Sequence, residues 1–73
     1  MAIEIKAHIT GTVWKVEVSV GDEVDAGDTI AILESMKMEM PVETDDAGTV
    51  EKIHVAPGQA VKEGELLVTL TES

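Results

Sequence analysis

The chain has no cysteine, no arginine, no phenylalanine and no tyrosine among its 73 residues, and Trp14 is its one aromatic side chain. Without cysteine there are no disulfide staples, no thiolate zinc sites and no thiol nucleophile, and a reducing compartment is compatible. Without bulky aromatics, the 44% of residues that are hydrophobic must build a core from Val, Ile, Leu, Ala and Met, many of them β-branched strand formers. Basic residues are scarce: 5 lysines stand against 15 acidic residues, a formal net charge of −10. That excludes nucleic acid and anionic membrane as partners, since both require a basic footprint. No apolar run is long enough to span a bilayer, and the first ten residues lack a basic segment followed by an apolar one. A cytoplasmic location is expected. The length fits one domain, residues 1–73, near the lower size limit for a core without cross-links.

What the chain does contain is a copy of itself. Residues 11–35 align with 48–72 without a gap at an offset of 37, and 9 of the 25 pairs are identical, among them Gly11/Gly48, Val13/Val50, Lys15/Lys52, Gly21/Gly58, Val24/Val61, Gly27/Gly64 and Leu33/Leu70. Each half therefore follows one plan of strands and turns. The period within each half is two: Val16 and Val18 alternate with Lys15, Glu17 and Ser19, as Ile53 and Val55 alternate with Lys52 and His54. No segment has helical periodicity. Glycines punctuate both copies at matching points, where turns need positive φ. Strands are expected near 2–7, 12–19, 29–35, 38–43, 49–55 and 65–71, with shorter ones around 23–25 and 60–62. The fold class is all-β: a flattened β-barrel or sandwich of two four-stranded antiparallel sheets related by a pseudo-twofold axis, in which each half covers the other's apolar face. Ile3 and Ile5 then have Met40 and Val42 as counterparts.

The repeat locates Lys37. It lies at the seam between the copies, and its own counterpart falls just past Ser73, so a hairpin turn joining the halves is its expected place. The seam reads Glu34, Ser35, Met36, Lys37, Met38, Glu39, Met40. By pattern alone, Met36, Met38 and Met40 read as the inner face of a strand with Lys37 and Glu39 outside. The repeat argues against that, because it requires a connection here. A lysine that acts as a nucleophile by itself needs burial or nearby positive charge to lose its proton. A wet turn flanked by Glu34 and Glu39 offers neither, so Lys37 is suited to be acylated by an enzyme that brings an activated acyl group and its own base.

In these residues the chain resembles the biotinyl/lipoyl attachment domains, in whose biotinyl members a lysine between two methionines receives biotin through an amide. GTVWKVEVSVGD before the lysine (11–22) and GTVEKIHVAPGQAVKEGE after it (48–65) match the family's glycine-punctuated halves. The likeness covers essentially the whole chain, which in this resembles a free-standing biotin/lipoyl attachment protein, a barrel-sandwich hybrid. Two departures are local: Ser35 stands where many biotinyl domains have alanine, and His8-Ile9-Thr10 replaces a Pro-Met-Pro segment. The thumb inserted in some bacterial carriers has no counterpart. The resemblance implies a carrier rather than an enzyme. Lys37 would hold biotin, attached by a biotin protein ligase, and take a carboxyl group from a biotin carboxylase to a carboxyltransferase; the protein itself would be a monomer in isolation. Glu34, Ser35 and Glu39 would belong to the hairpin the ligase reads, and Met36 and Met38 would be soft flanking contacts or, alternatively, partial core. Lysine stem and valeryl chain together span about ten bonds of roughly 1.5 Å, a reach on the order of 10 Å. Lipoate on the same lysine is the alternative, although lipoyl domains usually place aspartate before the lysine and alanine after it; an unmodified β interaction module is the third reading.

Other features carry less. His8 and His54 have Asp45 and Glu17 as repeat counterparts, so no histidine pair forms and no metal site is expected. Asp45 and Asp46 lack the ligand spacing of a calcium loop and read as a polar turn. Trp14 shares its strand side with Val16 and Val18 and is expected at the rim of the core, with an exposed partner contact as the alternative.

Overall fold

Turn chemistry, repeated four times, sets the frame. In the computed structural model, which describes residues 2–72, Gly21, Gly27, Gly58 and Gly64 have φ of 95°, 93°, 91° and 91°. Each is the third residue of a turn closed by a backbone bond from the fourth to the first: Asp22 to Ser19, Asp28 to Asp25, Gln59 to Ala56 and Glu65 to Lys62. A positive φ at that position is the signature of a type II turn. The fourth side chain then accepts a bond from the first residue's N–H, by Asp22 Oδ2 (2.8 Å), Asp28 Oδ2 (2.8 Å), Gln59 Oε1 (3.3 Å) and Glu65 Oε1 (3.1 Å). Three of the chain's acidic residues therefore serve its turns.

Between the turns run eight strands: β1 (Ala2–Lys6), β2 (Gly11–Val16), β3 (Glu23–Val24), β4 (Thr29–Ser35), β5 (Met38–Glu43), β6 (Gly48–Ile53), β7 (Ala60–Val61) and β8 (Leu66–Glu72). All pairings are antiparallel and build two four-stranded sheets, here sheet I in the order β1-β8-β6-β3 and sheet II in the order β5-β4-β2-β7. The expected two-sheet β architecture is the one observed, as a flattened sandwich, with no helix among the described residues. Strands expected to reach 19 and 55 stop at Val16 and Ile53, because the chain leaves the ladder after Glu17 N–H and His54 N–H bond to the carbonyls of Ile30 and Leu67 and enters a turn.

The pseudo-twofold holds bond by bond. At the repeat offset, β2, β3 and β4 become β6, β7 and β8, and Ile3 opposite Leu70 becomes Met40 opposite Leu33. Even the bulges recur: β2 slips register between Val13 and Lys15 against β4, and β6 between Val50 and Lys52 against β8. The position equivalent to Lys37, past Ser73, lies outside the described residues. Between the sheets one apolar cluster forms, centred on Val13, Ile30, Leu33, Val50, Leu67, Val68 and Leu70. Thr44 is the one polar residue buried there among those described; its hydroxyl donates to the Asp46 carbonyl (2.8 Å) and accepts from the Asp46 N–H (3.1 Å). Where Ala7 occupies the matching site, the other half has no such need.

Two expectations change. Gly11 and Gly48 are not turn glycines. A Cβ on Gly11 would lie 2.6 Å from the Glu34 carbonyl oxygen, and one on Gly48 would lie 2.6 Å from that of Thr71, so close strand approach demands them. Gly48→Ala is expected to cost about 1–3 kcal/mol, because backbone rather than a flexible side chain must move; the midpoint of urea unfolding measures it. Trp14, in turn, does not cap the core. The bulge places Trp14 and Lys15 together opposite Ile32, on the outer face, and Trp14 is 46% exposed. Val13 takes the inward position instead, fully buried.

Candidate functional site

The site is the tip of the β4–β5 hairpin. Ser35 pairs with Met38 and leaves two residues, Met36 and Lys37, to make the connection. Both have positive φ, 51° and 66°, which is the conformation of a type I′ turn and the one whose twist suits a two-residue hairpin. Such turns normally use Asn-Gly, since left-handed backbone costs other residues about 1–2 kcal/mol each. Methionine and lysine therefore sit here against local preference, and strain of this kind collects where a side chain is needed for what it does. Met36→Asn should relieve part of it, raising stability by about 0.5–1 kcal/mol. For a domain of this size that is a shift of several degrees in melting temperature, read by circular dichroism.

The base beneath the tip is firm. Leu33, fully buried, faces Met40 across the hairpin and Val13 on the other side. Gly11, having no side chain, lets β2 lie against the Glu34 carbonyl. Thr10 Oγ1 accepts a bond from the Glu63 N–H (3.2 Å), tying the neighbouring turn to the approach of β2. The ladder delivers Lys37 to a defined place, and its side chain alone is free to sweep.

The structure separates the three methionines. Met36 is 92% exposed and Met38 63%, so neither packs in the core, whereas Met40 is half-buried opposite Leu33. Only Met40 behaves as the inner-face pattern would have it. Lys37 and the outward-facing Glu34 and Glu39 are exposed, and Ser35 is half-buried at the base of the turn. Glu34 and Glu39 lie directly opposite each other across β4 and β5. Like charges so placed cost a sheet roughly 0.2–1 kcal/mol, and neither forms an ion pair with Lys37 among the described residues. Seen as a sequence, the seam gave no sign of that pairing, because it depends on a turn of two residues.

This arrangement can present an amine but cannot activate one. The Lys37 side chain is exposed, and among the described residues no ion-pair partner holds it. Exposed methionines on either side offer apolar, deformable surface to an attached acyl arm or to an enzyme. Away from the hairpin, His54 Nε2 lies 2.8 Å from Thr69 Oγ1, and among the described residues no three His, Cys, Asp or Glu side chains gather in one place. A groove of about 300 Å³ between β1 and β5, lined by Ile3, Lys6, His8, Val42 and Asp46 among others, lies away from the hairpin tip.

Comparison with known proteins agrees with the geometry. The family described as "biotin-requiring enzyme" matches residues 1–70. The chain is 41% identical over 69 residues to the "Biotin/lipoyl attachment protein" of Bacillus subtilis (strain 168), covering 94% of each. It is 47% identical over 64 residues to the "Biotin carboxyl carrier protein" of Streptococcus mutans, covering 88% of this chain and 49% of that protein. The crystal structure of the Kluyveromyces lactis urea carboxylase contains a superposable segment, with a TM-score of 0.92 and 38% identity over 97% of this chain, which spans 6% of that enzyme. A strained, exposed lysine hairpin on a twofold β sandwich, together with these matches, places the chain in the biotin/lipoyl family, as a non-catalytic, biotin carboxyl carrier-like domain.

Proposed function

We propose that Lys37 is the residue on which this carrier holds biotin, with Met36 and Met38 as its flanking contacts. The observation that carries the reading is the hairpin: a two-residue turn at positive φ presents the one lysine of the seam to solvent, bracketed by exposed methionines. In the acylating step, a biotin protein ligase supplies biotin activated through ATP. Lys37 Nζ, after losing its proton to the enzyme's base, attacks the acyl carbon; the amide bond forms and the activating group leaves. When bound, the cofactor supplies a carrier for a carboxyl group. The chain's own part is mechanical: a rigid hairpin positions the anchor, and a flexible stem lets it visit a biotin carboxylase and then a carboxyltransferase. The names of similar proteins, among them the pyruvate carboxylase of Bacillus subtilis and a urea carboxylase, support partners of this kind.

Intact mass after incubation with biotin protein ligase, ATP and biotin tests the proposal, beside a parallel reaction with lipoate ligase. One biotin adduct, located at Lys37 by peptide mapping, is the expected result. A lipoyl adduct alone, a possibility raised by the name of the Bacillus subtilis relative, would move the assignment to lipoate. No adduct at all would leave an interaction module.

A further inference from the structure

The internal twofold supplies a control that few proteins carry. Every position on the outer face of sheet II has a mate on sheet I in the same backbone setting, so a difference between mates is not demanded by the fold. On sheet II, Trp14 and Lys15 oppose Ile32, and Ile32 opposes Pro41. On sheet I, the mates Glu51 and Lys52 oppose Thr69, and Thr69 opposes Glu4. An apolar row thus stands where its image is polar. The polar row is satisfied within the molecule: Thr71 Oγ1 donates to Glu51 Oε2 (2.7 Å), and His54 Nε2 lies 2.8 Å from Thr69 Oγ1. The apolar row is covered only in part: Trp14 is 46% exposed with Lys15 Nζ 5.7 Å from its ring centroid, Pro41 is exposed and Ile32 is half-buried. One step toward the hairpin, Glu34 opposes Glu39, whereas their mates Thr71 and Ala2 are uncharged.

We propose that this face of sheet II is where the ligase that acylates Lys37 docks, through an apolar pocket for Trp14 edged by basic side chains that meet Glu34 and Glu39. The proposal rests on the reading of Lys37 given above. Charge identifies the occupant. In a chain of net charge −10, an opposed glutamate pair weakens the sheet and has its use toward a cationic surface. Geometry puts the contact within reach: at about 3.3 Å per residue, the Ile32 row lies roughly 10 Å from Ser35, the last residue before the turn that carries Lys37. A standard interface of about 800 Å² per partner extends roughly 16 Å from its centre, so an enzyme that closes on the hairpin along this face reaches Trp14. A tryptophan at such a place is the side chain that most often dominates binding.

The mates also prescribe the variants. Trp14→Glu, Ile32→Thr and Pro41→Glu each install the residue the twin position already carries, so all three are expected to melt within a few degrees of the parent. Steady-state biotinylation of the whole chain, read by mass, should show kcat/KM lowered roughly 30-fold for Trp14→Glu, through KM, with kcat retained. The added negative charge would by itself favour a basic partner, so this loss reports the apolar contact. Glu4→Ala, on the opposite face, should leave KM unchanged. Should Trp14→Glu fold poorly, Pro41→Glu carries the same test. An unchanged KM in both Trp14→Glu and Pro41→Glu, with the parent labelled normally, overturns the docking face alone. A parent dimer that Trp14→Glu dissociates in sedimentation overturns it in favour of a second copy, and a parent that takes no biotin overturns the Lys37 reading and this proposal together.

Discussion

Lys37→Arg takes up no adduct under conditions that label the parent chain completely, and it unfolds at the same temperature. The charge is kept and the stem is nearly as long, but a guanidinium does not lose its proton in a protein and so offers no nucleophilic pair. Nothing in the fold leans on Lys37: it is exposed, and its amine makes no ion pair among the described residues. A sharper version exchanges two neighbours, Met36→Lys with Lys37→Met. Composition, charge and turn length are preserved, and an amine still stands in water at the tip. At a two-residue turn, however, successive side chains leave the backbone in different directions, so Nζ moves by more than the ~1 Å that costs a positioned reaction about 10²-fold. The exchange is expected to lower kcat/KM for biotinylation by at least about 100-fold, followed by mass over a time course. Labelling at the parent rate would mean that any exposed lysine on this hairpin suffices, and that the register of the turn has no role.

Leu33→Ala and Leu70→Ala should each remove about 2–5 kcal/mol. Both leucines are fully buried, Leu33 between Val13 and Met40, Leu70 between Val50 and Ile3. A chain of 73 residues has a total stability of about 4–11 kcal/mol, so either variant loses a large fraction of it, and neither is rescued by a cross-link. Because the two sites are mates under the twofold, their losses should agree within about 1 kcal/mol when measured by urea unfolding with unchanged m. Their effects on labelling should differ. Leu33 supports the hairpin that carries Lys37, whereas Leu70 lies at its image beside Ala2 and Thr71. At temperatures where both variants are folded, the ligase should discriminate against Leu33→Ala and accept Leu70→Ala at nearly the parent rate. Equal labelling would show that the base of the hairpin contributes only stability.

Where reading failed, a bulge or a contact across strands was responsible. Trp14 shares parity with Val16, and alternation assigned it to the core side; one extra residue in β2 sent it out and brought Val13 in. Bulges leave little mark on a period of two, although here the mate Glu51, a residue unsuited to a buried face, was a signal. Gly11 and Gly48 looked like turn glycines because their role, a carbonyl 2.6 Å from the missing Cβ, belongs to another strand. Met36, Met38 and Met40 gave two readings with one spelling, and the turn decided between them by exposing the first two and half-burying the third.

Strand content, the positions of the type II turns, the duplication and the place of Lys37 between the copies were all written along the chain, since each depends on residues close in sequence or on a repeat visible by alignment. Which faces meet, which residues oppose one another and which apolar side chains stay in water were decided only when two sheets closed over one core. Burial and register are properties of pairs far apart in the chain, and local preference could not choose between a methionine that packs and one that is offered to a partner.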